Sequence, residues 1–158
     1  MGSILKTSLE LILLLALAVP GPAQSAAAHP AVTPRQVVEL HIKGMQAGNA
    51  TMAAEPYAED AVVMTPPGSF PPGTKSLEPG IAIGKPNIRK FFASLLDPDH
   101  GAAAKGMIWH LDVTPQGGVV MHWTQLKGTP QQVDGIDMFM VRDGKIVFQS
   151  IGLNAPKK

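Results

Sequence analysis

The stretch from Val133 to Leu153 constrains this chain more than any other. Two runs rich in β-branched, aromatic and methionine side chains, Ile136-Asp137-Met138-Phe139-Met140-Val141 and Ile146-Val147-Phe148-Gln149-Ser150-Ile151, flank Arg142-Asp143-Gly144. An Asp-Gly pair between such runs predicts a β-hairpin, because tight hairpin turns need residues that accept positive φ. Asp137 stands out within it: a carboxylate among apolar neighbours is costly to bury ionised and unpaired. The turn decides what shares its face. A two-residue loop puts Ile146, Phe148 and Ser150 beside Asp137; a three-residue loop, with Gly144 as the left-handed residue, puts Val147, Gln149 and Ile151 there. The second is preferred. It groups Asp137, Phe139, Val141, Val147, Gln149, Ile151 and Leu153 on one face and Ile136, Met138, Met140, Ile146 and Phe148 on the other. A sheet apolar on both faces needs two covers. The chain's own helices supply one and a partner subunit the other, so a homodimer through the outer sheet face is expected.

Residues 1–27 are read as an export signal rather than as part of the fold. Leu11 to Val19 is an apolar run too short to span a bilayer, followed by Pro20-Gly21-Pro22 and the small residues Ala23-Gln24-Ser25-Ala26-Ala27-Ala28. Cleavage after Ala27 or Ala28 would leave one domain, residues 28–158, periplasmic or secreted and with no stable membrane insertion. The leader carries only Lys6 as a side-chain cation, alongside Glu10, which departs from the usual pattern.

Several function classes are excluded by composition. The formal net charge is +1 and the 13 Lys and Arg are scattered along the chain, with no run longer than two, so there is no nucleic-acid footprint. The absence of cysteine removes disulfides and thiolate chemistry and leaves stability to the core. His29, His41, His100, His110 and His122 show no paired ligand spacing, so no metal is expected. Neither a nucleotide fingerprint nor a serine elbow is present, and no cofactor is implied.

Taken in order, Thr33-Pro34-Arg35-Gln36 forms a capping box with proline at the first helical position, predicting a helix with Val37, Leu40, His41, Gly44 and Met45 at helical spacing. Asn49 caps a second, short helix that Pro56 ends. A short strand at Ala61 to Thr65 follows. The proline- and glycine-rich stretch Pro66 to Gly84 is long enough to act as a lid, with a short strand near Ile81-Ala82-Ile83. Pro86 opens a third helix burying Ile88, Phe91, Phe92 and Leu95. Strands at Met107 to Thr114 and Val119 to Lys127 then precede the hairpin. The fold class is α+β: three N-terminal helices against a curved sheet ending in a four-strand antiparallel meander.

Val37-Val38-Glu39-Leu40-His41, Gln46-Ala47-Gly48-Asn49, Tyr57 to Val63, Gly84 to Phe92 and the closing hairpin, in this order and spacing, resemble the nuclear transport factor 2-like superfamily, particularly its SnoaL-like and ketosteroid-isomerase-like branch. The resemblance implies a cone of strongly bent sheet, a cystatin-like roll, closed by helices around an apolar pocket, commonly in a dimer. Set against ketosteroid isomerases, Thr65 falls at the catalytic base, His41 at the tyrosine of the first helix, and Asp137 at the protonated aspartate. Only Asp137 matches, which argues against that mechanism. SnoaL-type cyclases imply an Asp with a nearby His on adjacent strands, and the same alignment turns His122 inward toward Asp137 as an acid/base pair. His41, Tyr57, Thr65, Trp109, Thr124, Phe139, Gln149 and Ile151 are the expected pocket lining, and Trp123 is assigned to the dimer face.

For Asp137 the competing interpretation is a carboxylate satisfied by Gln149, Ser150 or a backbone amide; for His122 it is a satisfied core histidine, and for His41 a helix residue whose ring packs and whose nitrogen is tied to the backbone. Three functions stay open: a domain that binds a small, largely apolar molecule, an isomerase- or cyclase-type enzyme using Asp137 and His122, and a non-catalytic dimerisation module.

Overall fold

The computed structural model describes residues 32–66, 80–97, 104 and 106–154. All belong to the unit Ala31–Lys158. The expected export signal, most of the expected lid, His29 and His100 lie outside the described residues. The elements in order are α1 (Pro34–Gln46), α2 (Ala50–Ala54), β1 (Tyr57–Met64), β2 (Ile81–Ile83), α3 (Lys85–Leu95), β3 (Ile108–Val113), β4 (Gly118–Gln125), β5 (Val133–Arg142) and β6 (Lys145–Leu153).

Local chemistry sets the helix starts. Thr33 accepts from the Gln36 amide while the Gln36 side chain accepts from the Thr33 amide, and Pro34 occupies the first turn of α1. Asn49 caps α2 through the Met52 amide at 2.9 Å. The turn between these helices is tight because Gly44 presents no side chain: a Cβ there would lie 2.2 Å from the Ala53 amide nitrogen. That close approach carries the α2 backbone to the flank of His41.

The sheet has six strands in the order β2-β1-β6-β5-β4-β3. β3 to β6 form the expected antiparallel meander, β2 pairs antiparallel with β1, and β1 joins β6 in parallel. β1 is also longer than the sequence suggests, starting at Tyr57 rather than Ala61. Helices α1 and α3 pack on the sheet and bury one continuous core, in which Val38, Ile42, Tyr57, Ile88, Phe92, Phe139 and Ile146 are all but inaccessible. Arg35 fastens α1 to β3 by donating to the Leu111 carbonyl at 2.7 Å.

The closing hairpin differs from the three-residue expectation in an instructive way. Arg142 pairs with Lys145, so the loop is Asp143-Gly144 alone, with φ of 50° and 71°. Two successive positive φ values match the twist of a two-residue hairpin. A β-bulge then follows, because Met140 pairs with Phe148 while Val141 pairs with Ile146, leaving Val147 unmatched. Beside the turn, therefore, Ile146 faces the core, contrary to the sequence expectation. Beyond the bulge the register is the expected one: Phe139 pairs with Gln149 and Asp137 with Ile151. The opposite face leaves Met138 and Met140 exposed at 53% and 54%, with Ile108 and Ile136 also in solvent.

Candidate functional site

Asp137 is the focus of the site because its strand neighbours and burial force a definite hydrogen-bonding shell upon it. The side chain is 4% exposed. Trp123, on β4, donates its indole N–H to Asp137 Oδ1 at 2.7 Å. Gln149, on β6, donates its amide to Oδ2 at 2.8 Å. The Gly152 backbone lies against the same carboxylate and favours its charged form. Strand alternation delivers these groups: Trp123 and Asp137 are two positions out of register on adjacent strands and Gln149 lies diagonal on the other side, distances that long side chains span. Gly135, directly opposite Trp123, makes the indole's placement possible, since a Cβ there would sit 2.1 Å from the ring atom Cζ2.

The shell continues inward. Tyr57, from the start of β1, donates its hydroxyl to Gln149 Oε1. His41, from α1, lies edge-on to the Tyr57 ring, with Nδ1 2.9 Å from the Ala53 carbonyl and 3.4 Å from the Tyr57 oxygen. A carbonyl only accepts, so His41 carries its proton on Nδ1. Phe92 and Phe139 close around this imidazole at ring-centre distances of 5.0 and 5.7 Å.

Burial governs the electrostatics. It pushes the Asp137 pKa up from 3.8 to about 7, against the opposing pull of its Trp123 and Gln149 hydrogen bonds and of the Gly152 backbone. It pulls the His41 imidazole down from 6.5 to about 4, only partly offset by the bond to Ala53. Tyr57 is held well above its ordinary value by burial and by the nearby Asp137 charge. At neutral pH the site thus holds an acid near its midpoint, a neutral imidazole and a neutral phenol.

A pocket of about 160 Å³ opens above this shell. Its walls are mostly apolar: Met45 from α1, Phe91, Phe92 and Leu95 from α3, Met107, and Met121, Trp123, Ile151 and Leu153 from the sheet. His41, Thr65, Gln125, Asp137 and Gln149 supply the polar atoms. This is the composition of a small-molecule site, with a few fixed polar groups in an apolar hollow.

Of the residues singled out from sequence, His41, Thr65, Asp137, Gln149 and Ile151 line this pocket. Tyr57 and Phe139 lie behind its wall in the core. Trp109 is partly buried against the core and borders a separate depression on the β3–β4 side, as do His122 and Thr124. Thr124 donates to Asp134 at 2.7 Å. His122 does not meet Asp137. Its side chain is 53% exposed and its Nε2 lies 3.8 Å from Asp112. The physical reason is register: Met121, not His122, pairs with Asp137, so alternation sends His122 to the outer face and turns Trp123 inward. Trp123 is accordingly part of the site rather than of the outer face. The signal that could have found it is the heavier apolar set Val119, Met121 and Trp123 on one side of β4.

These shifts have opposite consequences for stability. A folded-state pKa raised from 3.8 to about 7 makes the Asp137 contribution fully present below 3.8 and progressively lost as pH rises to about 7. A pKa lowered from 6.5 to about 4 makes the His41 contribution rise with pH across that range. Each slope is at most about 1.4 kcal/mol per pH unit, so between pH 4 and 6.5 they oppose one another. Urea unfolding of Asp137→Asn is expected to show stability climbing with pH in this window, at up to about that slope, relative to a flatter wild type. Parallel pH profiles for the two proteins would contradict the assignment.

Residues 38–149 match the SnoaL-like domain family. No curated protein sequence matches the chain. Among solved structures, an NTF-2-like protein of unknown function from Burkholderia xenovorans LB400 is similar at 16% identity and a TM-score of 0.58, covering 79% of this chain and 85% of that one. A putative isomerase from Bacillus subtilis is similar at 18% identity and a TM-score of 0.58, covering 77% and 86%. The epoxide hydrolase/cyclase-like enzyme SalBIII, from pyran ring formation in the polyether salinomycin, is similar at 17% identity and a TM-score of 0.55, covering 77% and 90%. At these identities the structural likeness speaks to fold alone. The sheet order, the helical cover and the sequence match over residues 38–149 together place this chain in the SnoaL-like family of the nuclear transport factor 2-like fold.

Proposed function

We propose that the domain binds a small, largely apolar molecule carrying one hydrogen-bonding oxygen, which Asp137 engages at the foot of the pocket. The observation that carries this reading is a carboxyl group 4% exposed that nevertheless lines an apolar pocket. With its pKa at about 7, Asp137 donates a hydrogen bond below neutrality and only accepts above it. An anionic ligand is disfavoured, since the pocket's titratable groups carry either no charge or a negative one. A second reading, proton transfer in an isomerase- or cyclase-type reaction, draws on the same near-neutral acid, the pKa that general acid–base work requires. In that reading the neutral imidazole that shares the pocket with Asp137 is His41, in place of His122.

Cyclohexanone titrations followed by NMR test both. The ketone is expected to bind at pH 6 and to weaken about tenfold per pH unit above 7, as the donor form of Asp137 is depleted. Methylcyclohexane, which has no acceptor, should lack that dependence. Identical pH responses from the two molecules, or binding of neither, would sink the reading. Exchange of the ketone's α-protons in D₂O, lost in Asp137→Asn, separates catalysis from binding alone.

Residues 1–27 serve export in this proposal, and the mature domain is periplasmic or secreted. Mass spectrometry of the protein from its native host is expected to place the N-terminus at Ala28 or His29; an intact leader would contradict this. The exposed face of Ile136, Met138 and Met140 is proposed to meet a second copy of the chain. Light scattering should then give a dimer that Met138→Glu converts to monomer, and a monomeric wild type would refute it.

A further inference from the structure

The buried hydrogen bonds behind Asp137 have a direction, and it can be traced from one end. The last carbonyls of a five-residue helix such as α2 have no intrahelical partner, and the Ala53 carbonyl takes its bond from His41 Nδ1 at 2.9 Å. With a proton on that nitrogen, His41 cannot accept from the Tyr57 hydroxyl 3.4 Å away. The hydroxyl proton goes to Gln149 Oε1 instead. Once Gln149 accepts on Oε1, its amide NH₂ must face Asp137 Oδ2, where it donates at 2.8 Å. On Oδ1 the donor is the Trp123 indole, which has no lone pair in its ring plane to offer in return. The Gly152 backbone lies against the same carboxyl group and favours its charged form.

A carboxyl group has about four lone-pair positions. Two are taken here by side-chain N–H groups, neither of which can receive a proton back. We infer that Tyr57 and Gln149 are positioning residues: oriented by the Ala53 carbonyl through His41, they present only a donor to Asp137 from the core side and so leave its acid proton to the pocket. The acid proton is thereby kept available to a ligand's carbonyl or hydroxyl oxygen rather than lost to an internal acceptor, which is where this inference rests on the proposed ligand class. Other charges do not compete. Among the described residues the other titratable groups of this cluster are His41 from α1, which lines the same pocket, and Tyr57 from β1, bonded to Gln149; α3 contributes Phe91 and Phe92, and β4 and β6 contribute neutral side chains.

The test is a ¹³C titration of the Asp137 carboxyl group in ligand-free protein. Tyr57→Phe frees Gln149 to rotate its amide, so that Oε1 accepts from the Asp137 O–H and stabilises the neutral acid. The midpoint should rise by at least about half a pH unit. Gln149→Leu should raise it as well, by removing a donor to the carboxylate. In the double variant the midpoint should equal that of Gln149→Leu alone, because Tyr57 acts only through Gln149. An unchanged midpoint in Tyr57→Phe, or additive shifts in the double variant, would overturn the inference. Should a variant fail to fold, the wild type supplies an independent readout: the Gln149 side-chain NH₂ resonances should titrate with the Asp137 midpoint, and a Gln149 amide blind to that titration overturns the inference equally. No ligand enters these measurements. Their failure removes the wiring alone, whereas failure of ketone binding with the shifts intact removes the ligand class alone.

Discussion

The burial of one carboxyl group against a shell of N–H donors is the interaction on which the architecture of the site depends. Removing an acid from water favours its neutral form, while each donor aimed at it favours the charged form. In this chain burial is the larger influence, but Trp123, Gln149 and Gly152 hold the balance near neutrality rather than far above it. A change in either opponent moves the midpoint of the acid.

Meeting that requirement uses parts of the fold far apart in sequence. Trp123 must pass close to a residue with no side chain, which Gly135 provides across the β4–β5 ladder. Gln149 must come from the strand beyond, and the bulge at Val147 sets the register that turns it inward. Tyr57 reaches the same cluster because β1 joins β6 in parallel, an arrangement that places the start of β1 beside Ile146. His41 completes the set only because Gly44 lets α2 approach α1 closely enough to present the Ala53 carbonyl. Among the described residues no buried side-chain nitrogen or oxygen is left without a partner. Such a network costs little when every member is satisfied and a great deal when one is removed.

The pocket above the network is the complementary half of the design. Its methionine, phenylalanine and leucine walls offer a ligand dispersion and water exclusion but little direction. Direction comes from the polar floor. Solved structures of similar fold include a putative isomerase and an epoxide hydrolase/cyclase-like enzyme, so the fold by itself does not fix the chemistry.

Much of this was legible in the sequence, where the signal is local. The capping box at Thr33, the Asn49 cap, Pro86 opening α3, and the alternation of the closing hairpin each follow from interactions within a few residues, and with the family resemblance they determine an α+β fold around Asp137. What the sequence left open was the pairing between strands. Alternation says that His122 and Trp123 face opposite ways, but not which of them faces the core. Only the β4–β5 register, matching Met121 to Asp137, decides that. The hairpin shows the same division: Asp143-Gly144 announces a turn, yet its length and the compensating bulge depend on which register buries Ile146 together with Gln149. Period-two patterns are unchanged by exchanging the two faces, so the choice belongs to long-range packing, where the exchange would expel the larger apolar set and strand a carboxylate without donors.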